Sequence, residues 1–372
     1  MRIKEILRYC LLFIMTTVYS QNDSNIAVVK GDIKGIEKGI ATISNEEMHV
    51  FLDSVEVKDG KFKLQITVNT ARQYYVYIRN NEDENSGFLS NIFLGGGEEV
   101  MLNAELGVDL FPRISNAPLI DQSKAYEGYI KSQKESTELL KINSKISKAL
   151  KDKDKVMVSE LKKSRDTMSM TLIEKILKFK DNSTTSPVAA YQVYNYAYPL
   201  PIEYKSEIVQ MFPENTSQLY YLDKLKSAIE NEKKVETGNL APNFNVQDLD
   251  GKEYTLDSFK GKYVFLEFSA SWCGWCKVEI PFIREAYHKL GKKNIVFVTM
   301  NMDVTRELWK KTVKDDNIEW LCLSNLEGMY TELAASFNIR GIPMSYVIDP
   351  KGRIIKQGLR GDEVIKYLSS IL

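Results

Sequence analysis

A β-strand that leads directly into two closely spaced cysteines is the feature that most constrains this fold. Residues 263–268 form a nearly continuous apolar run, which is typical of a central strand buried on both faces of a sheet. Cys273 and Cys276 follow, with two residues between them. Beyond them, apolar residues recur at helical steps: Ile280, Ile283, Tyr287 and Leu290. This order predicts a buried strand, a turn that carries two thiols, and an amphipathic helix.

The sequence pattern as a whole predicts a multidomain chain with three architectures. Short alternating strands separated by turn residues predict an antiparallel β domain, sandwich- or barrel-like, over 26–120. Apolar residues at helical spacing among lysines and glutamates predict a helical region over 121–236. Strands that alternate with helices predict a C-terminal α/β fold with parallel strand pairing and a terminal hairpin over 238–372.

Turn and capping residues add local detail. Residues 58–61 (Lys-Asp-Gly-Lys) predict a β-hairpin, and the lysine-rich stretch 151–155 predicts a turn between two helices. Ser186 followed by Pro187 predicts a helix start. The glycine triplet at 95–97 lacks the lysine and the strand-to-helix context of a phosphate-binding loop, so we interpret it as an ordinary loop.

Residues 1–20 have the pattern of a secretory signal peptide. Three basic residues precede a short apolar run, and the small residue Ser20 ends the segment. Because the run is too short to span a bilayer comfortably, a retained anchor is the weaker alternative. Cleavage after Ser20 would remove Cys10 and leave a soluble mature protein in the periplasm or cell envelope.

Charge and cysteine usage limit the partners of such a protein. Fifty basic residues balance fifty acidic ones, which removes the bulk electrostatic argument for nucleic acid and leaves a membrane surface as an open option. Three cysteines remain without the signal peptide, Cys273, Cys276 and Cys322, too few for a disulfide-stapled scaffold. The partners that we predict are therefore protein thiols and disulfides.

The position of each thiol suggests its role. Cys273 opens the predicted helix, where unpaired backbone N–H groups and the positive end of the helix dipole favour a thiolate. Cys276 falls on the inward face of the same helix. We therefore expect an exposed Cys273 that attacks partner disulfides and a buried Cys276 that resolves the mixed disulfide. The reversible Cys273–Cys276 disulfide requires no separate cofactor.

Glu267 is the charged residue within the apolar strand. In an alternating strand it shares a face with Phe265 and Ser269, which places it beneath the helix start. A buried carboxyl group there has a raised pKa and can carry the proton that Cys276 must lose. The alternative is that Glu267 lies at an exposed strand end.

Aromatic and proline residues suggest a substrate-binding surface. Trp272, Gly274 and Trp275 surround the nucleophile, and exposed aromatics at such a place are typical of a docking surface, although packing is the alternative. Ile342 and Pro343 precede a predicted strand, and a proline at this position is a candidate for a cis peptide bond. A trans bond is the alternative there.

A metal site is not predicted. One Cys-x-x-Cys pair supplies two ligands, whereas structural zinc sites normally use four. Cys322, His49 and His288 have no paired spacing that would complete the set. We interpret Cys322 as an inert core thiol and expect His288 to face solvent.

Several motifs together resemble the thioredoxin superfamily. The sequence Trp-Cys-Gly-Trp-Cys at 272–276, Pro281, and Gly-Ile-Pro at 341–343 match its pattern. Ala-Pro-Asn-Phe at 241–244 and Asp-Gly-Lys at 250–252 are similar to the opening of the TlpA/ResA-like branch, which shares its start with peroxiredoxins.

The resemblance covers about residues 238–372 and implies thiol–disulfide oxidoreduction. It implies that Pro343 is cis and lies next to the active-site disulfide, and that Glu267 takes the place of the buried acid. Trp275 stands where the family commonly has proline. The resemblance implies that the two residues between the cysteines, Gly274 and Trp275, tune the redox potential. Residues 26–110 are similar to a β-domain of unknown function that often precedes exported thioredoxin modules in Gram-negative bacteria.

The leading hypothesis is an exported thiol:disulfide oxidoreductase that reduces specific partners. A single cysteine pair means that an external electron donor protein must supply the electrons. A thiol peroxidase is an alternative, although residues 268–272 lack the threonine of the peroxiredoxin pattern. In the non-enzymatic alternative, residues 26–236 bind a partner in the cell envelope and the thioredoxin module recruits it.

Overall fold

The computed structural model describes most of the chain, namely residues 25–45, 51–83, 85–152, 154–214, 216, 218–329 and 331–372. The predicted signal peptide at 1–20 and His49 lie outside the described residues. Among the residues described, we find no helix with the length and apolar content of a membrane span.

The described chain forms two compact units, and the helical region is divided between them. The first unit contains the described residues up to Val193 together with Pro213–Tyr221. The second contains Tyr194–Phe212 and Leu222–Leu372. The second unit therefore includes helical segments that precede residue 238, the start of the predicted α/β domain.

Eight strands of the first unit form one sheet in the order β6-β5-β2-β3-β4-β1-β7-β8. Their bounds are β1 Ile26–Lys34, β2 Lys38–Asn45, β3 Phe51–Lys58, β4 Lys61–Thr67, β5 Arg72–Asn80, β6 Gly87–Leu94, β7 Glu99–Glu105 and β8 Arg113–Ser115. Alternate residues are buried along most strands, which is the pattern of a sheet with one covered face. Pairing is antiparallel as predicted, except between β1 and β7, which are parallel.

The predicted hairpin at 58–61 joins β3 to β4. Lys58 pairs with Lys61, and Asp59 and Gly60 both adopt positive φ, at 49° and 75°. This combination is the one that a two-residue hairpin turn requires. A Cβ atom at Gly60 would lie 2.6 Å from the carbonyl oxygen of Ile33, so glycine is also required by space.

Six helices follow among the described residues: α1 Pro118–Ser132, α2 Lys134–Lys151, α3 Lys155–Lys178, α4 Pro187–Ala197, α5 Ile202–Gln210 and α6 Tyr220–Lys234. The break between α2 and α3 coincides with the predicted lysine-rich turn. The hydroxyl of Ser186 accepts the backbone N–H of Ala189 at 3.1 Å, which caps α4 at the predicted start.

The second unit contains a five-stranded sheet in the order β13-β12-β11-β14-β15, with helices between the strands. The elements are β9 Asn245–Gln247, β10 Glu253–Thr255, β11 Tyr263–Ser269, α7 Gly274–Leu290, β12 Ile295–Asn301, α8 Arg306–Asp315, β13 Leu321–Leu323, α9 Glu332–Ser336, β14 Met344–Ile348, β15 Ile354–Gln357 and α10 Asp362–Ile371. Strands β9 and β10 form a separate two-stranded sheet.

Strand β11 lies at the centre of this sheet, parallel to β12 and antiparallel to β14. Leu266 and Phe268 belong to one apolar cluster, and Phe265 belongs to a second cluster with Ile280 and Ile283 of α7. The strand is therefore covered on both faces, as its apolar run predicts. The predicted sequence of a β region, a helical region and a C-terminal α/β fold is confirmed.

Candidate active site

The two thiols lie at the start of α7, joined as a disulfide between Cys273 and Cys276. Cys273 is the N-cap of the helix, and its Sγ accepts the backbone N–H of Cys276 at 3.0 Å. An N–H donor and the positive end of a helix dipole are features that favour the thiolate form of a cysteine, and both are present at Cys273. The sequence prediction that Cys273 opens the helix is thus confirmed.

Exposure at the disulfide differs from the prediction. Cys276 is buried, with 1% of its surface exposed, but Cys273 is also buried, with 5% exposed. The prediction of an exposed Cys273 is wrong for the disulfide form, because the bond to Cys276 holds its side chain against the first turn. The neighbouring Trp272 and Trp275 are 61% and 69% exposed instead. The two indoles are therefore much more accessible to solvent than either sulfur.

Glu267 lies fully inside the sheet, beside Thr299 of β12 and Ser345 of β14. Its Oε2 accepts the hydroxyl of Thr299 at 3.3 Å, and its Oε1 has no hydrogen-bond partner among the described residues. With 2% of the residue exposed, the alternative of an exposed strand end is wrong.

Burial raises the pKa of Glu267 to about 8, because a carboxylate loses its hydration there. The Thr299 hydroxyl and the charge of Arg360 act in the opposite direction, and Glu279 and Asp316 add to the increase. The acid is therefore mostly protonated at neutral pH and remains close enough to its pKa to exchange a proton.

Asp303 fixes the loop that precedes the disulfide. One carboxylate oxygen accepts the Ser271 hydroxyl at 2.7 Å, and the Ser271 backbone N–H also points at this carboxylate. Asn301 and Thr312 donate to the other oxygen at 2.8 Å and 3.0 Å. Because Asp303 is fully buried, this group of donors holds the loop between β11 and α7 in one position.

The Ile342–Pro343 peptide bond is cis, as predicted, and the trans alternative is wrong. Arg360 donates hydrogen bonds to the carbonyl oxygen of Pro343 and, at 2.9 Å, to that of Leu359. Arg360 thus links the proline segment to the loop before α10. The same guanidinium contributes to the electrostatic field at Glu267.

A second arginine holds the other end of the proline segment. Arg340 forms an ion pair with Glu232 of α6, and it donates to the carbonyl oxygen of Tyr198 at 3.0 Å. Glu232 also accepts Lys205 of α5 at 2.5 Å, and the Lys205 side chain is completely buried. Burial lowers the pKa of Lys205, and the carboxylate of Glu232 opposes that change. We call Lys205, Glu232 and Arg340 the ion cluster.

The other candidate residues lie apart from the disulfide chemistry. Cys322 is buried, accepts the indole N–H of Trp309 at 3.2 Å, and has a pKa raised by burial to about 12, as expected of an inert core thiol. His288 is 55% exposed and lies 3.0 Å from Glu319. Within the described part of the chain, no group of three or more His, Cys, Asp or Glu residues is placed to hold a metal ion.

Sequence reasoning missed Thr299, Asp303, Arg340 and Arg360. Pairing β11 with β12 in parallel register would have placed Thr299 beside Glu267, and it would have placed Asp303 just beyond the carboxyl end of the sheet. The two arginines give no local signal for the site, because Glu232 lies 108 residues from Arg340 and Pro343 lies 17 residues from Arg360.

The two ends of the chain match two different protein families. Residues 237–357 match the AhpC/TSA family, and residues 27–117 match the domain of unknown function DUF4369. The first of these stretches contains Glu267, the cysteine pair and Pro343.

Similar proteins share the C-terminal part of the chain. The thiol-disulfide oxidoreductase ResA of Bacillus thuringiensis subsp. konkukian is 33% identical over 141 residues, which are 38% of this chain and 79% of the relative. The ResA of Bacillus cereus strain ZK is 31% identical over 139 residues, 37% of this chain and 78% of the relative. The thioredoxin domain of a thiol-disulfide oxidoreductase from Bacteroides vulgatus is 30% identical, with a TM-score of 0.36, and covers 37% of this chain and 97% of that chain.

Proposed function

This chain belongs to the ResA-like thiol-disulfide oxidoreductases of the thioredoxin superfamily, and on that premise we propose how its own residues carry out the exchange. Cys273 is the attacking thiol, Cys276 is the resolving thiol, and Glu267 carries the proton that Cys276 must lose. Trp272, Gly274, Trp275, Ile342 and Pro343 form the surface that receives the partner.

The reaction with a partner disulfide takes two steps. The Cys273 thiolate attacks one partner sulfur, and the other partner sulfur leaves as a thiolate with the electron pair of the broken bond. Cys276 then gives its proton to the Glu267 carboxylate and attacks Cys273 Sγ. The Cys273–Cys276 disulfide forms, the second partner sulfur leaves, and the partner has gained two electrons.

One observation carries this proposal: a buried carboxyl group with a pKa of about 8 lies in β11, the strand that leads into the helix whose first turn holds the disulfide. A buried carboxyl group without a counter-ion destabilises a fold, so a role in proton exchange accounts for its presence in an otherwise apolar strand.

The proposal extends to the setting in which the protein works. Protein thiols and disulfides are the substrates that membership of this family implies. We propose that the chain is exported to the periplasm or cell envelope and acts there as a reductant supplied by a separate electron donor protein. N-terminal sequencing of the protein recovered from the cell envelope tests export: a chain that begins after Ser20 supports it, and an intact residue 1–20 segment contradicts it.

Replacing the resolving thiol tests the assignment of roles. In Cys276→Ser, the mixed disulfide through Cys273 has no intramolecular nucleophile to break it, so covalent adducts with a disulfide-containing substrate such as insulin should accumulate. Non-reducing gel electrophoresis detects them, and an added dithiol should release them.

Cys273→Ser is the matched control, since it keeps the other thiol of the pair, Cys276, but removes the proposed nucleophile. It should form no adduct. Adducts in the Cys273→Ser protein and their absence in the Cys276→Ser protein would reverse the two roles. Absence of adducts in both variants would contradict the oxidoreductase mechanism.

The match to the AhpC/TSA family favours a second candidate function, reduction of peroxides. A peroxide consumption assay with the reduced protein separates the two. Peroxide consumption that depends on Cys273 and far exceeds that of a free thiol would support the peroxidase. Insulin reduction without such peroxide consumption would support the oxidoreductase.

A further inference from the structure

Three buried side chains from neighbouring segments of the sheet form a hydrogen-bond chain that ends on Glu267. The indole N–H of Trp320, which directly precedes β13, donates to Thr299 Oγ1 at 2.8 Å. Thr299 Oγ1 in turn donates to Glu267 Oε2 at 3.3 Å. All three residues are buried, so water does not compete for these contacts.

The direction of this chain follows from the chemistry of its groups. An indole N–H is a donor and never an acceptor, whereas a hydroxyl has one proton and two lone pairs. Thr299 Oγ1 must therefore accept from Trp320, and its single proton is free to point at Glu267. Glu267 Oε2 is then an acceptor.

The opposite arrangement leaves more polar groups unpaired. If the carboxyl proton were on Oε2 and pointed at Thr299, the threonine hydroxyl proton would lose its acceptor while Oε1 would still lack a donor. Each unpaired buried polar group destabilises the fold. With the proton on Oε1, the Thr299 hydroxyl and Oε2 are both satisfied, and only the acidic proton has no partner within the described part of the chain.

We propose that Trp320 and Thr299 are positioning residues that hold the exchangeable proton of Glu267 on Oε1. This inference rests on the proposed role of Glu267 as the proton carrier and specifies which oxygen performs it. Glu267 shares its strand face with Phe265, which packs against Ile280 and Ile283 of α7. The proton is thus kept in the layer beneath the helix that carries Cys276.

The disulfide form is then ready for reduction by a donor thiolate. The donor sulfur bonds to Cys273 Sγ, the Cys273–Cys276 bond breaks, and its electron pair goes to Cys276 Sγ. The proton moves from Glu267 Oε1 to Cys276 Sγ, which leaves a thiol and a carboxylate. A second donor thiolate then attacks the donor sulfur of the mixed disulfide, which releases Cys273 as a thiolate, and the two donor sulfurs leave as a disulfide. The reaction with a partner disulfide later returns a proton from Cys276 to the carboxylate.

Infrared difference spectroscopy on the oxidised full chain tests this placement. The carbonyl band of protonated Glu267 is identified as the band that disappears in Glu267→Gln. If Oε1 carries the proton, then Oε2 is the carbonyl oxygen, and its band is lowered by the Thr299 hydroxyl. Thr299→Val should therefore shift the band to higher wavenumber, and Thr299→Ser should restore it.

Trp320→Phe and Trp309→Phe form a matched pair of buried indole replacements. Without the Trp320 N–H, the Thr299 hydroxyl proton can turn towards residue 320 while Oγ1 accepts from Oε2, so a second carbonyl band should appear. Trp309 lies in the same apolar cluster but donates to Cys322, so Trp309→Phe should leave a single band at the wild-type position. A near-ultraviolet circular dichroism spectrum like that of the wild type shows that each variant is folded.

A band that does not move in Thr299→Val overturns the inference, because the carbonyl oxygen is then Oε1. The absence of a protonated carboxyl band at pH 6 also overturns it. A band that shifts in Thr299→Val and splits in Trp320→Phe supports it.

Kinetics separate this inference from the proposed role of Glu267 itself. The disulfide is reduced by an aromatic thiol that stays ionised across the pH range, so that only groups of the protein titrate. In the wild type the rate should fall above the pKa of Glu267, and in Thr299→Val the midpoint should rise by about one pH unit, since a hydrogen bond to the carboxylate is lost. If Glu267→Gln leaves the pH profile unchanged, the proton transfer is refuted. If Glu267→Gln flattens the profile but the Thr299→Val band does not move, only the placement on Oε1 fails.

Discussion

Each unit of the molecule buries a glutamate, and the two have opposite environments. Glu135 at the start of α2 in the first unit accepts Lys175 of α3 at 2.8 Å, and this contact lowers its pKa. Glu267 in the second unit has no cation in hydrogen-bond contact among the described residues, and burial raises its pKa to about 8. The first carboxyl group is paired as a charge, whereas the second is kept as an acid.

This difference separates a structural charge, Glu135, from the acid that we propose as a proton carrier, Glu267. A paired buried carboxylate keeps its charge because its partner lowers its pKa, so it has no reason to release or take up protons near pH 7. An unpaired buried carboxyl group destabilises the fold in its charged form, and this is acceptable where the proton is used. The pH dependence of stability should therefore have opposite signs for the two residues.

The largest expected effect is at Glu267. Its pKa is raised on folding, so the native state binds more protons than the unfolded state between pH 4.5 and pH 8, and stability falls as the pH rises through this window. Glu267→Gln removes this dependence. The difference in unfolding free energy between variant and wild type should grow in favour of the variant by about 3–4 kcal/mol from pH 5 to pH 8.

Urea unfolding followed by tryptophan fluorescence measures this difference. The four tryptophans of the chain, Trp272, Trp275, Trp309 and Trp320, all lie in the second unit, so their emission reports that unit alone. A constant difference between the two proteins across this pH range would contradict a raised pKa for Glu267.

A smaller effect is expected at the ion pair of the first unit. Lys175→Met keeps the length of the side chain but leaves the buried Glu135 carboxylate without its donor. The helices should lose about 1–2 kcal/mol, which speeds amide hydrogen exchange in peptides from α2 and α3 by roughly 5- to 30-fold.

Lys178→Met is the matched control on the same helix, because Lys178 is largely exposed and lies 3.7 Å from Glu174. It should change exchange little. Since the Glu135 pKa is lowered on folding, the Lys175 effect should be present at pH 7 and fade as the pH falls below 4. An equal effect of both substitutions would show that burial of Glu135 is not what matters.

The smallest effect is expected at His288 and Glu319, a pair on the surface of the second unit. Because water screens both groups, His288→Ala should change the unfolding free energy by less than about 0.5 kcal/mol. The same fluorescence-detected unfolding measures it. A loss of several kcal/mol would show that an exposed pair contributes as much as a buried one. Burial would then not explain the difference between Glu135 and Glu267.

The sequence predicts the parts of this molecule that depend on local chemistry. The cysteine spacing, the apolar run of β11 and the Asp-Gly turn each depend on a few adjacent residues, and the structure has them where the pattern places them. The position of Glu267 beneath α7 follows from the alternation of one strand. The cis bond before Pro343 was likewise predicted from the short Gly-Ile-Pro motif.

The features that the sequence did not predict depend on contacts between distant segments. Thr299 and Asp303 take part in the site through the register of β11 and β12, which no single segment specifies. Arg360 reaches Pro343 from another loop. The burial of Cys273 depends on the disulfide itself, since the helix position alone suggests an exposed thiol.

The ion cluster also bears on which segment of the gene can be transferred by recombination with these contacts intact. Arg340 is encoded within the stretch that matches the AhpC/TSA family, whereas its partners Glu232 and Tyr198 are encoded upstream of that stretch. A recombination event at residue 237 would transfer the cysteine pair to a new gene but leave Arg340 without its carboxylate. We therefore expect the heritable segment to include the codons for α5 and α6 as well as the oxidoreductase module.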